Sequence, residues 1–171
     1  GDVVTRPGWL VPSRIITVRL KLIDYLERPV RHGVTVSFHI GAAEAMARLR
    51  LLEGDTLAPG ESGWAQIVLE EPVAVVKGDR YIIRSTMETL GGGQVIDTHA
   101  RRLRRNRPEI ISNLEARESG NPEDLILALL ETHQPVERSM LITQANLPAG
   151  MVAETVDALV TDGRIVNIGE A

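Results

Sequence analysis

The chain has 171 residues, 43% of them hydrophobic, enough to bury one core or two small ones. Aromatic residues make up only 3% and cysteine is absent, which argues against base stacking on exposed aromatic platforms and removes disulfides, thiolate metal sites and cysteine nucleophiles. The formal charge of −4 hides an asymmetry: residues 1–107 hold 16 Lys and Arg against 12 Asp and Glu, whereas residues 108–171 hold 3 against 11, and this sign change predicts a domain boundary near residue 107.

Gly1-Asp2-Val3-Val4 has no initiator Met and runs into strand-like residues, as expected for a piece of a longer protein. From Ser13 to Leu22 the side chains alternate, Ile16, Val18, Leu20 and Leu22 on one face and Ile15, Thr17, Arg19 and Lys21 on the other, the period of a half-buried strand. The pattern returns with Val34, Val36, Phe38 and Ile40 opposite Thr35, Ser37 and His39. It returns again with Ala45, Ala47, Leu49 and Leu51 opposite Met46, Arg48 and Arg50. Trp64 to Glu70 supplies a fourth strand with Ala65, Ile67 and Leu69 inward, Arg80 to Arg84 a fifth, and Gly92 to Asp97 a sixth. The last opens in Gly91-Gly92-Gly93, where missing side chains permit a bend or a close backbone approach. Six antiparallel strands in under a hundred residues predict a small closed barrel, which leaves no edge exposed.

Past residue 107 the period lengthens to that of helices. Pro108 to Glu118 can form one, stopped by Ser119-Gly120. Asn121 is a good N-cap, Pro122 suits the first helical position, and Glu123 and Asp124 complement the helix dipole ahead of the apolar stripe Leu125, Ile126, Leu129 and Leu130. A short helix from Ser139 to Ala145 and another carrying Val152, Val156, Leu159 and Val160 follow, then a strand from Arg164 to Ile168. That order predicts a mainly α winged-helix domain over residues 108–171, its wing incomplete, after a barrel over 1–98 and an arginine-rich linker over 99–107. The longest apolar stretch, Leu125 to Leu130, is far short of a membrane span, and the expectation is a cytoplasmic protein without membrane partners.

Two stretches of the barrel carry a resemblance to a known family. Gly1-Asp2-Val3-Val4-Thr5-Arg6-Pro7-Gly8 resembles the exit from the second domain of translational GTPases. Val75-Val76-Lys77-Gly78-Asp79-Arg80-Tyr81-Ile82-Ile83-Arg84-Ser85, followed by Thr89-Leu90-Gly91-Gly92-Gly93-Gln94-Val95-Ile96-Asp97, resembles the close of their third domain. The three glycines, Val95-Ile96-Asp97 and an arginine-rich exit into a winged helix are most similar to the selenocysteine-specific translation elongation factors. The resemblance implies a third-domain-like barrel that binds selenocysteinyl-tRNA, in a longer protein that meets the ribosome and an mRNA hairpin. It implies GTP and magnesium for that longer protein. The Gly-x-x-x-x-Gly-Lys-Ser/Thr phosphate loop is absent from this sequence, so no cofactor and no enzymatic activity are expected of this segment.

By the same resemblance Ser37, Arg84, Ser85 and Thr86 lie where a tRNA T-arm is met. Read from the residues alone, Arg28, Arg31 and His32 form a basic loop, and Thr35, Ser37, His39, Arg48 and Arg50 form a polar strand face without large apolar groups. Arginine forks on such surfaces fit phosphates, and an ordinary solvated exterior fits them equally. Arg101, Arg102, Arg104, Arg105 and Arg107 are either a phosphate tether or an interdomain contact with the acidic C-terminal part. The segment from Met151 to Gly163 carries Glu154, Asp157 and Asp162 and no Lys or Arg, which makes the helical domain a spacer rather than a reader of nucleic acid. His32, His39, His99 and His133 lack metal-ligand spacing. The alternative reading is a protein-interaction module made of a barrel and an acidic winged helix.

Overall fold

The computed structural model describes residues 10–98, 100–133, 135–145 and 147–168. The chain divides into two compact units, the first ending at Arg107 and the second beginning at Pro108. The Gly1–Gly8 segment and His99 lie outside the described residues.

The first unit is a closed antiparallel barrel of six long strands, β1 (Ser13–Leu22), β3 (Thr35–Ile40), β4 (Ala43–Leu51), β6 (Ser62–Val73), β7 (Arg80–Arg84) and β8 (Thr89–Asp97). Around the wall they run β1-β6-β4-β3-β7-β8 and back to β1. Two two-residue strands, β2 (Val30–Arg31) and β5 (Thr56–Leu57), pair with each other outside that wall. β2 lies in the segment expected to be a basic loop, because two residues show no periodicity. Val30 of β2 and Leu57 of β5, with Leu26, join the buried core.

Alternation sorts the wall as the sequence predicts. Ile16, Val18, Leu20, Leu22, Val36, Phe38, Leu49, Ala65, Ile67 and Ile83 face inward and are buried. Phe38 stacks on Tyr81 with ring centroids 5.4 Å apart, and the Tyr81 hydroxyl donates to the Arg19 carbonyl at 3.1 Å. Burial of that phenol pushes its pKa up, so it stays a donor. Val34 departs from the expected pattern: it precedes β3 and is exposed, its N–H turned to the Arg31 carbonyl.

Closure depends on the glycine run. β8 pairs with β1 on one side and with β7 on the other through Gly91, Gly92 and Gly93. A Cβ at Gly93 would stand 1.9 Å from the Arg19 carbonyl oxygen, one at Gly91 2.3 Å from that of Lys21, and one at Gly92 2.3 Å from that of Tyr81. The obstructing atoms are backbone on both neighbouring strands, so no rotamer change makes room.

The second unit holds α1 (Pro108–Ser119), α2 (Pro122–His133), α3 (Arg138–Ala145) and α4 (Ala149–Thr161). Asn121 caps α2, its Oδ1 accepting from the Glu123 N–H at 3.1 Å. Leu125, Ile126 and Leu129 of α2 share a core with Leu141 of α3 and with Val152, Val156 and Leu159 of α4. The strand expected at Arg164–Ile168 is not formed. An extended segment remains a strand only through a partner's hydrogen bonds, and Val166 and Ile168, 82% and 84% exposed, have no apolar burial in place of a ladder. Among the described residues the unit is therefore four helices without a wing.

Gly93→Ala should lower stability by about 3 kcal/mol or more, or prevent folding, since overpacking against immovable atoms lies at the costly end of such changes. Gly150→Ala, on α4 with nothing within 4 Å of the added carbon, should be neutral or stabilising by at most about 1 kcal/mol. Denaturant melts of the two variants beside the parent chain check both.

Candidate nucleic-acid interface

Alternation that buries one set of side chains puts the other on the outer wall, and on β4, β3 and β7 that set is mainly polar, although the exposed Met46 and Ile82 stand in it, so the face is not free of large apolar groups as expected. Register places Ser37 between Met46 and Arg84, and Arg84 beside Thr89, in one row across the wall. The next row sets His39 between Glu44 and Ile82, and on the other side Thr35 faces Arg48. The Ser37 hydroxyl donates to Glu44 Oε1 at 2.6 Å and lies 3.0 Å from His39 Nε2, with 3.8 Å between His39 and Glu44. Arg48 and Arg84 are exposed and take no part in the side-chain hydrogen bonds or ion pairs of the described residues. This wall presents two unpaired guanidinium forks beside a small hydroxyl and imidazole cluster.

The basic loop stands close by. Arg28 and Arg31 are exposed, held in place by the buried Val30 between them, and they line a groove of about 430 Å³ with Ser85, Glu88 and Leu90. Ser85 is engaged locally: its Oγ accepts from the N–H groups of Met87 and Glu88 at 3.2 and 3.1 Å. It therefore shapes the β7–β8 turn and presents Thr86 and Met87, the latter 89% exposed, at the tip. The groove brings together Arg28, Arg31 and Ser85, which the sequence placed in separate segments.

Arg50 and His32 do not belong to this face. Arg50 sits on the outward register of β4 but is only 8% exposed, because residues 101–106 lie over it. Its Nη1 donates to Gln66 Oε1 at 2.7 Å and its Nη2 to the Leu103 carbonyl at 3.1 Å. Gln66, also buried, accepts the Leu103 N–H at 3.1 Å and donates through Nε2 to the Arg101 carbonyl at 2.8 Å and Thr17 Oγ1 at 3.3 Å. All four hydrogen-bonding positions of that amide are filled. Arg105 donates to the Leu51 carbonyl at 2.8 Å, to the Gly54 carbonyl, and to Asp55 at 2.8 Å, where it holds the carboxyl below the usual range. Asn106, in the left-handed region at φ 54°, accepts the Gly54 N–H at 3.0 Å and donates its own N–H to the Leu52 carbonyl. The arginine-rich segment is thus laid along the barrel, while Arg101, Arg102, Arg104 and Arg107 remain exposed.

His32 lies under the same cover. Burial first, then the positive charge of Arg105, holds its pKa below the ordinary value of 6.5, so it is a neutral imidazole at neutral pH and not a cationic phosphate contact. In the helical unit Arg138 pairs with Asp157, and Arg164 lies 3.4 Å from Glu123, so neither contributes to a basic face. Among the described residues no three His, Asp or Glu side chains gather as metal ligands, and no helix is long and apolar enough to cross a membrane.

Sequence reasoning missed Gln66, which holds the linker, Thr17, which supports that amide, and Asn106, which ties the end of the linker to the barrel. The available signal was Trp64: a large aromatic on the outward register of β6, 1% exposed, shows that this outer wall is covered.

The closed barrel is of the translation elongation factor type by its match to a family profile. The family profile described as "Selenocysteine-specific elongation factor, beta-barrel domain" matches residues 14–102. The chain is 33% identical over 132 residues to a selenocysteine-specific elongation factor of Desulfomicrobium baculatum, covering 76% of this chain and 21% of that protein. It is 26% identical over 147 residues to one of Haemophilus influenzae, covering 81% of this chain and 23% of that protein. The chain belongs to the selenocysteine-specific elongation factor family, and it spans about a fifth of the length of these relatives.

Gln66→Leu should strip the linker of its buried partners and cost about 1–3 kcal/mol, the penalty for leaving buried polar groups unpaired. Hydrogen exchange at the Leu103 amide should accelerate with it, while exchange in the core of β1 follows only the global loss. Because the folded state disfavours protonated His32, stability present above pH 6.5 should be partly lost as pH falls below that value. A His32→Asn variant should show a shallower decline in melting temperature between roughly pH 7 and 5.

Proposed function

We propose that this chain is the tRNA-binding and spacer portion of a selenocysteine-specific elongation factor, which delivers selenocysteinyl-tRNA to the ribosome at a recoded stop codon. The observation that supports this reading most directly is the β3–β7 wall, where exposed, unpaired Arg84 adjoins Ser37 across the strand pair and Arg48 stands one row away. A duplex arm is gripped through phosphates and ribose hydroxyls, and a wall of guanidinium, hydroxyl and imidazole groups offers donors to both. Arg28, Arg31 and Thr86 extend the same surface. Ser85 supports it by shaping the turn.

Membership of the family supports the role in translation, and with it a cytoplasmic protein whose wider partners are the ribosome and an mRNA hairpin. GTP and magnesium would be held by another part of the longer factor, because the residues of a phosphate loop do not occur in this sequence. Under this reading the segment itself catalyses nothing. The four-helix unit, with 11 acidic residues against 3 basic, keeps the barrel and any downstream reader of mRNA apart without competing for phosphate.

In the full-length factor, Arg84→Ala should weaken the tRNA complex by about 1–3 kcal/mol, the range for a charge-assisted hydrogen bond, and should reduce its salt dependence. A tRNA titration at several salt concentrations measures both. Unchanged affinity and slope would remove Arg84 from the interface, and a chain that binds protein partners but no tRNA at low salt would replace this reading with a protein-interaction module.

A further inference from the structure

The linker arginines fall into two sets. Arg105, with Arg50 beneath it, is spent on holding backbone: their guanidinium groups meet the carbonyls of Leu51, Gly54 and Leu103. Arg101, Arg102, Arg104 and Arg107 are exposed, and none of them takes part in an ion pair of the described residues. A segment that served only as a tether would not need a buried amide with every bond filled to fasten it. We propose that the docked linker is a second RNA-binding ridge, in which Arg101, Arg102, Arg104 and Arg107 hold the phosphates of a helical RNA segment.

Four observations carry this. The ridge is pre-organised: Gln66, Arg50 and Arg105 fix the backbone at positions 101, 103 and 105, so the arginines between them do not lose backbone freedom on binding. Residues 102 and 104 stand at most about 7 Å apart along extended chain, a spacing that suits neighbouring phosphates of one strand. Its charge is also largely uncompensated. Asp55, on Arg105, is the one carboxylate that the described ion pairs place on the linker, and burial first, with the linker cations second, disfavours the charged forms of both Arg50 and His32. Finally, the ridge has no apolar anchor, since Leu103 is half-buried between the arginines, and planar forks without an apolar centre fit phosphate better than a protein surface.

The ridge is separate from Arg84. In the closed order β1-β6-β4-β3-β7-β8, β6 and β7 lie across the barrel from each other. The linker is fastened over Gln66 of β6 and Arg50 of β4, two residues from Arg48, whereas Arg84 is on β7. The ridge therefore adjoins the Arg48 end of the polar face and stands apart from its Arg84 end. The inference rests on the RNA-binding reading but not on the Arg84 face.

The test titrates the 171-residue chain with two probes, a short RNA duplex of arbitrary sequence and a transcribed tRNA, across a salt series. Replacing Arg101, Arg102, Arg104 and Arg107 together by Gln should lower affinity about tenfold or more and reduce the slope of log K against log salt by about 3. The same loss should appear in an Arg84→Ala background, as for separate sites. Gln66→Leu, which keeps all four arginines but frees their backbone, should weaken binding several-fold. Loss on both probes assigns the ridge to any helical RNA, and loss confined to tRNA assigns it to the folded surface of that molecule. A fourfold variant that binds both probes with unchanged affinity and slope overturns the ridge alone, while a parent chain that binds neither at low salt overturns the ridge and the RNA-binding reading together.

Discussion

The barrel depends on one close approach. Where β8 passes between β1 and β7, backbone meets backbone at distances that leave no space for a side chain, and the Arg19 carbonyl that blocks any Cβ at Gly93 is also the acceptor of the buried Tyr81 hydroxyl. That contact closes the wall. Closure removes the sheet edges and fixes the alternation around the circle, so that each strand has one committed inner face and one outer face. The mainly polar rows of β3, β4 and β7 and the covered wall of β6 follow from it. A barrel left open at this seam would free two strand edges and would no longer set Ser37 and Arg84 at a defined place on a rigid surface.

Arginine does two kinds of work in the barrel unit, and burial decides which. Arg50 and Arg105 give their donors to carbonyls and to Gln66, which turns charge into structure, because a guanidinium can satisfy several acceptors that a loop leaves over. Arg48 and Arg84 keep their donors for solvent or for a ligand. The same residue type on the same outward register, two residues apart on β4, thus serves opposite ends: Arg48 is exposed and Arg50 is roofed over. The helical unit shows a third use, in which Arg138 is neutralised by Asp157 within its own domain.

Much of this was legible in the sequence. Period-two alternation marked β1, β3, β4 and β6, each with one face in the barrel core, the glycine run marked β8, and Asn121-Pro122 marked the start of α2 through its capping chemistry. The roof was not legible. Thr17, Arg50 and Gln66 are polar residues on outward positions, and a polar residue facing solvent reads the same as one facing a segment that returns from 35 or more positions away in the chain. β2 and β5 were too short to show a period. Arg164 to Ile168 had the composition of a strand, but composition cannot supply a neighbour, and without one among the described residues the segment stays irregular. For the candidate site, residue types were readable, whereas the separation of Arg84 from Arg50, and of Arg28 from His32, followed from tertiary cover.

Fastening the linker through a side-chain amide has a consequence for how such a chain can change. Gln66 recognises a carbonyl at one position and an N–H two positions later, and it is indifferent to the side chains those positions carry. Substitutions along the segment are therefore tolerated more easily than changes in its length. Deleting or inserting a single residue between Thr98 and Asn106 would shift the frame by one, turning Leu103 outward and bringing a neighbouring arginine down onto the barrel wall. Spacing, more than composition, is what selection would hold constant in this stretch.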